Sequence, residues 1–152
     1  MSYPTFVPPI VSGKVIKVYD GDTITILSKV PGLKNSQEYK FQIRLNRIDT
    51  PELRTKNMEE KEVAQEAQVA LSNIILDKIV QLTVLKLDKY GRLLCEVYYN
   101  GLCMNDWMLT KHFAVEYDGG TKKSPESWRA YVSTGTNVDI PLLKPKKSYW
   151  FL

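Results

Sequence analysis

Hydrophobic and polar positions alternate with period two through much of the first 45 residues, which marks half-buried strands rather than helix. Residues 13–30 predict two strands: Ile24 and Ile26 alternate with Thr23 and Thr25, and an acidic turn, Asp20-Gly21-Asp22, separates them. The polar connection "PGLKNSQE" leads to a third strand in "YKFQIRLNR", where Tyr39, Phe41, Ile43 and Leu45 alternate with Lys40, Gln42, Arg44 and Asn46. One of its faces is expected in the core and the other in water. The period then changes. In "EEKEVAQEAQVALSNIILDK" the residues Val63, Ala67, Ala70, Leu71 and Ile74 recur at helical spacing, and the acidic first turn suits the positive end of a helix dipole. Alternation returns in "IVQLTVLKL" and "RLLCEVYY", joined by "DKYG", where Gly91 supplies the positive φ of a tight hairpin. Shorter helices are expected at "MNDWMLTKH" and "SPESWRAYV", the second with Ser124 as cap and Pro125 at the first helical position. Three strands, a helix, two strands and one or two helices predict an α+β fold, mainly β: a five-stranded Greek-key barrel of the OB type.

The chain of 152 residues is one domain's worth, spanning 1–152, with an extended arm at 1–12 and an irregular tail at 137–152. A net charge of +4 permits an anionic partner without identifying one. No apolar run reaches membrane-spanning length, and "MSYPTFVPPIVSGK" has prolines where a signal peptide has an apolar stretch, so the expectation is a soluble, intracellular, cytoplasmic protein with no membrane partner. A hairpin centred near Asn100 and Gly101 would pair Cys103 with about Tyr98, leaving Cys95 out of register, which argues against a disulfide. Two cysteines and one histidine fall short of a zinc set. The tail "KPKKSYWFL" is expected to dock Trp150 and Phe151 on the barrel, the alternative being a mobile tail that offers charge to nucleic acid.

Strand parity then restricts the chemistry. Arg44 lies opposite the Phe41, Ile43 and Leu45 face and Arg92 opposite Leu93, Cys95 and Val97, so both guanidiniums should project from the barrel's outer face. Asp22 shares parity with Ile24 and Ile26 and should sit at the core-facing edge, where a carboxylate is costly without a cation or donors. The segment "RLNRIDTPE" adds Asp49, a Thr50 carbonyl and hydroxyl, and Glu52 behind the stiff Pro51. Two aspartates with a carbonyl and waters make a plausible open site for a hard divalent cation, one that binds weakly until a phosphate completes it. With two arginines to grip phosphoryl oxygens and a further carboxylate to orient water, the set matches what phosphodiester hydrolysis requires.

"DGDT" at 20–23, "RLNRIDTPE" at 44–52 and "DKYGR" at 88–92 together closely resemble the thermonuclease, or staphylococcal nuclease-like, family, over roughly residues 13–133. The stretch "MNDWMLTKHFAVEYDGGTK" looks like the version found in large DNA viruses and some bacteria, in which case the location would be host-cell cytoplasm. The resemblance implies that Asp22 and Asp49 are ligands of one Ca2+ ion, with the Thr50 carbonyl, and that Asp20 stands behind them. It implies that Arg44 and Arg92 bind the scissile phosphate and that Glu52 holds the attacking water. Lys89 and Tyr90 match positions that contact a nucleotide phosphate. The substrates would be DNA and RNA, cut by a monomer with little sequence preference to leave 3′-phosphate and 5′-hydroxyl ends. The aromatic pair that brackets a base has no clear counterpart, and Tyr117 is the nearest candidate. His112 stands where the family has a helix-ending glycine, which asks a non-glycine residue to be left-handed.

Each motif alone reads as a turn, a loop or a surface ion pair; their joint presence carries the inference. The alternative is a catalytically inactive OB module that binds nucleic acid or protein, which should have lost at least one of Arg44, Asp49, Glu52 or Arg92. All four are present.

Overall fold

In a computed structural model that describes residues 2–34 and 37–135, alternation becomes strand where it was expected. β1 (Ser12–Asp20) and β2 (Thr23–Ser28) form a hairpin across the acidic turn, and β3 (Tyr39–Leu45) pairs with β2. β4 (Ile48–Asp49) precedes α1 (Met58–Ile75), followed by β5 (Ile79–Leu87), β6 (Leu93–Tyr99) and β7 (Leu102–Cys103). The chain continues through α2 (Met104–Thr110), β8 (Val115–Glu116) and α3 (Trp128–Thr134). The sheet order β3-β2-β1-β5-β6 closes because β3 also pairs with β6, in parallel, giving the expected five-stranded barrel. β4, β7 and β8 are two-residue additions too short to leave a periodic signal.

The barrel is filled by the inward set of each strand, including Val15, Ile24, Ile26, Ile43, Leu45, Leu93, Cys95 and Val97. α1 starts at Asn57, whose side chain accepts from the Glu60 amide, with Glu59 and Glu60 in the first turn. Its buried stripe is Val63, Ala64, Ala67, Leu71 and Ile75. Ala70 and Ile74, expected on that stripe, are only half-buried, because the helix meets the barrel about one residue around from the face the spacing suggested.

The third helix corrects the expected cap. It begins at Trp128, not near Pro125, and the cap is Ser127, whose Oγ accepts from the Ala130 amide at 3.1 Å. Burial of both Pro125 and Trp128 fixes the intervening chain as an extended approach, and Ser127 stands the right three residues ahead of a free amide. His112 takes φ 61°, the left-handed conformation asked of it, after α2. Gly91 has φ 82°, and Tyr98 pairs with Cys103 as the hairpin reading required. Cys95 and Cys103 are free thiols. Burial, and secondarily Glu96, pushes the Cys95 thiol up to about 12, so it is an inert core residue. Among the described residues no helix is long and apolar enough to cross a membrane. The expected irregular tail and the docking of Trp150 and Phe151 lie outside the described residues.

Candidate active site

β2, β3 and β4 meet where the acidic turn packs on the "IDT" segment, and the reason is space. A Cβ on Gly21 would stand 3.0 Å from Thr50 Cγ2 and 3.0 Å from Met108 Cε, so only glycine lets the turn approach this closely. Its φ is not in the left-handed region, so the glycine serves close contact rather than a special backbone conformation. The Asp22 amide donates to Asp20 Oδ1 at 3.0 Å, which shapes the turn. Asp22 itself is buried, at 6% exposure, as parity required. Its carboxylate is satisfied by donors: the Thr50 amide and hydroxyl reach Oδ2 at 3.1 and 2.9 Å, and the Thr23 hydroxyl reaches Oδ1 at 3.0 Å.

Arg44 departs from expectation. It does lie on the strand face opposite the core, but at 8% exposure it is not in water, because the chain after β3 folds back over it. Its Nη1 donates to the Leu45 carbonyl at 2.7 Å, and its Nη2 lies 3.4 Å from Asp22 Oδ2 and 3.5 Å from Asp49 Oδ1. One guanidinium nitrogen therefore stands against both aspartates. Arg92 is half-buried, fixed by Nε donating to Asp88 Oδ2 at 2.7 Å, with its Nη1 3.5 Å from the Thr23 hydroxyl. Asp88 also accepts the Tyr90 and Arg92 amides at 2.9 Å each, so the hairpin turn and the arginine are held by the same carboxylate.

Lys122 belongs to none of the three motifs, yet it enters the site. Its Nζ makes an ion pair with Glu52 Oε1 and lies 3.5 Å from Asp49 Oδ1. It sits in a glycine-containing loop that Tyr117 shapes by donating from its hydroxyl to the Gly120 carbonyl at 3.0 Å. The Tyr117 ring also faces Arg44, with 5.9 Å from centroid to Cζ, so it braces the arginine as well as lining the cleft. The only hint in the sequence was "GGTKK", and nothing local tells which lysine turns inward.

Burial, aided by the neighbouring Asp22, pushes Asp20 up to about 7. Asp49 is also raised, chiefly by burial and despite Lys122. Burial works the same way on Asp22, but Arg44 and the hydrogen bonds around it hold that carboxyl below the usual range. Asp20, Asp22 and Asp49 thus bring three carboxyl groups together around Arg44, a local crowding of negative charge that favours a cation even though lysines and arginines line the rest of the cleft. Among the described residues no group of three Asp, Glu, His or Cys side chains is arranged to enclose an ion. The donors that face each other are the two carboxylates of Asp22 and Asp49, an open arrangement that suits a hard ion sharing its coordination with phosphate and water.

All ten residues singled out from the sequence, Asp20, Asp22, Arg44, Asp49, Thr50, Glu52, Lys89, Tyr90, Arg92 and Tyr117, line one cleft of about 900 Å³. At its rim the Lys89 ammonium and the Arg92 guanidinium lie 5.2 and 5.3 Å from the centre of the Tyr90 ring.

Residues 42–133 match the profile of the family described as "Staphylococcal nuclease homologue". The chain is 32% identical to an uncharacterized protein of Bacillus anthracis over 108 residues, covering 69% of this chain and 47% of the relative. It is 34% identical over 95 residues to Endonuclease Htp3 of Saprolegnia parasitica, covering 57% of this chain and 44% of that protein. An uncharacterized endonuclease of Haemophilus influenzae is 33% identical over 104 residues, covering 68% and 51%. The chain thus spans about half the length of the curated relatives it matches.

Proposed function

We propose an activity from one premise: this chain belongs to the family of staphylococcal nuclease homologues. The reading is a calcium-dependent endonuclease that hydrolyses phosphodiesters of DNA and RNA, leaving 3′-phosphate and 5′-hydroxyl ends. The observation that carries it is the single Arg44 nitrogen against both Asp22 and Asp49, with Arg92 tied to the same aspartate through Thr23. Phosphate-gripping and metal-holding groups are therefore one network. Names of relatives such as Endonuclease Htp3 agree with it.

Asp22 and Asp49, with the Thr50 carbonyl, would hold the ion. When bound, a divalent cation polarises the phosphoryl group and offsets charge in the transition state. Arg44 and Arg92 take the non-bridging oxygens, and a guanidinium fork favours the extra negative charge of the five-coordinate phosphorus. Glu52 orients the water and accepts its proton. Lys122 engages only one of its oxygens, and the other makes no hydrogen bond to a described residue, so it is available to that water. The water oxygen bonds to phosphorus, the bond to the 5′-oxygen breaks, that oxygen takes a proton from solvent to become the 5′-hydroxyl, and the phosphate stays on the 3′ side. Asp20 acts by shaping the turn that presents Asp22, and Lys89 and Tyr90 hold a neighbouring nucleotide phosphate.

The test is digestion of DNA and RNA side by side with calcium and with chelator, followed by end-group analysis. Calcium-dependent cleavage to 3′-phosphate ends is expected. Clean, folded protein that cuts neither polymer with any of several divalent ions would overturn the reading in favour of a non-catalytic binding module.

A further inference from the structure

The cleft extends well past the residues that any motif marks. Its floor is a continuous run of paired strands, β1-β2-β3-β6-β5, with Arg44 on the middle strand. On β1, Lys17 and Tyr19 turn outward on either side of the buried Val18 and line the same cleft. The Lys17 ammonium lies 5.5 Å from the centre of the Tyr19 ring. Register places this pair relative to the scissile site. Thr25 is the partner of both Lys17 and Gln42, whereas Thr23 is the partner of both Asp20 and Arg44. Lys17 is thus two residues along and two strands across from Arg44, or roughly 7 Å and 10 Å. Thr25 and Gln42 bridge the gap and also line the cleft. On the far side, β5 and the turn after it carry Lys86, Lys89 and Tyr90.

Two cation-and-tyrosine pairs therefore flank the arginines, one on β1 and one in the turn after β5. A phosphate backbone needs cations at intervals, and an unpaired base needs a π face; together these are the components of a single-strand track. The polar Thr25 and Gln42 between them supply hydrogen-bonding groups without adding negative charge.

We propose that Lys17 and Tyr19 form a second strand-binding subsite, which takes a backbone phosphate and a base of single-stranded nucleic acid one to two nucleotides from the cut and so favours unpaired substrate. The position relative to the cut rests on the nuclease reading; the binding itself does not. The test measures affinity by fluorescence anisotropy, in chelator at low salt, for a labelled single-stranded 12-mer and a labelled dinucleotide. The parent should gain affinity with length. Lys17→Ala with Tyr19→Ala should cut that gain by about ten-fold and lower the salt slope for the 12-mer by about 0.7, the contribution of one lost phosphate contact. Lys78→Ala, an equal charge change at an exposed lysine away from the cleft, should match the parent. Lys17→Arg with Tyr19→Phe should restore binding, which a folding defect would not allow. An unchanged length gain in the alanine variant, or an equal loss in Lys78→Ala, would overturn the subsite. Absence of calcium-dependent cleavage by the parent would instead remove the nuclease reading, while the anisotropy still decides for or against the track.

Discussion

Glu52 has a side chain 52% exposed, and its amide, not its carboxylate, ties the loop to α1 by donating to Glu60 Oε2. Glu52→Gln should therefore leave the melting temperature within a degree or two while lowering kcat by about 10²–10⁴-fold, the usual weight of a general base. A variant that cuts as fast as the parent would remove Glu52 from the water-orienting role. Gly21 makes the opposite kind of prediction. Gly21→Ala keeps every charged group but pushes a methyl against Thr50 and Met108, and an overpacked contact costs about 1–3 kcal/mol. Methionine can move aside more readily than a threonine held by two hydrogen bonds, so under the proposed function calcium affinity, read by calorimetry, should weaken together with stability.

Parity along single strands was enough to aim Asp22 inward and Arg92 outward, and three short motifs in register identified the cleft before any fold was in view. What sequence could not convey was cover. Arg44 reads as a wet residue because its strand alternates, yet Asp22, the Asp49 segment just after β3 and the Tyr117 ring close around it. The same limit hid Lys122, whose position depends on how the loop after Tyr117 folds back. Ser124 and Ser127 are both competent caps, and burial of Pro125 and Trp128 decided between them.

Among elements, the junction where β3 leaves β6 is held by one buried side chain. Asn105, at the start of α2, accepts the Val97 amide at 2.9 Å and donates to the carbonyls of Asn46 and Cys95 at 2.8 and 3.0 Å. It is fully buried, so removing it strands the Val97 amide and the Asn46 carbonyl, while the Cys95 carbonyl keeps the Asn46 amide at 2.9 Å. Asn105→Ala should cost at least about 2 kcal/mol, visible as a fall of roughly 8 °C in Tm. Beside it, Arg47 takes a left-handed φ of 70° and bridges Glu96 and Asp106 at 2.6 and 2.7 Å, locking the turn into β4 that carries Asp49. The site is thus aimed by contacts at the end of β3, where the chain turns into β4.

For the molecule as a whole, these ion pairs set the acid limit. Burial alone would raise Asp88 and Glu96, but hydrogen bonds from Arg92 and Tyr90, and from Arg47 and Asn46, hold both below their ordinary 3.8 and 4.5. Asp106 is lowered mainly by its hydrogen bond from Arg47. A carboxyl with a depressed folded pKa binds fewer protons folded than unfolded, so its contribution is complete above about pH 4.5 and is lost as pH falls through the depressed values. Asp20, raised to about 7, and Asp49, also raised, bind protons more readily folded than unfolded, so thermal melts should first gain as pH falls from 7 and then drop steeply below pH 4.5. Asp88→Asn with Glu96→Gln should start lower and show a shallower acid limb; an unaltered limb would mean that other groups govern it.

Parallel pairing of β3 with β6 closes the barrel between residues about 50 apart in the chain, and the two arginines flank that seam. Arg44 and Arg92 meet across that pairing, a contact between distant parts of the chain whose closure carries an entropic cost. Chains folded everywhere except at the seam would be compact, spectroscopically helical and inert. In refolding experiments the return of cutting should accordingly trail the return of helix signal, making enzymatic recovery a clock for the last step of assembly.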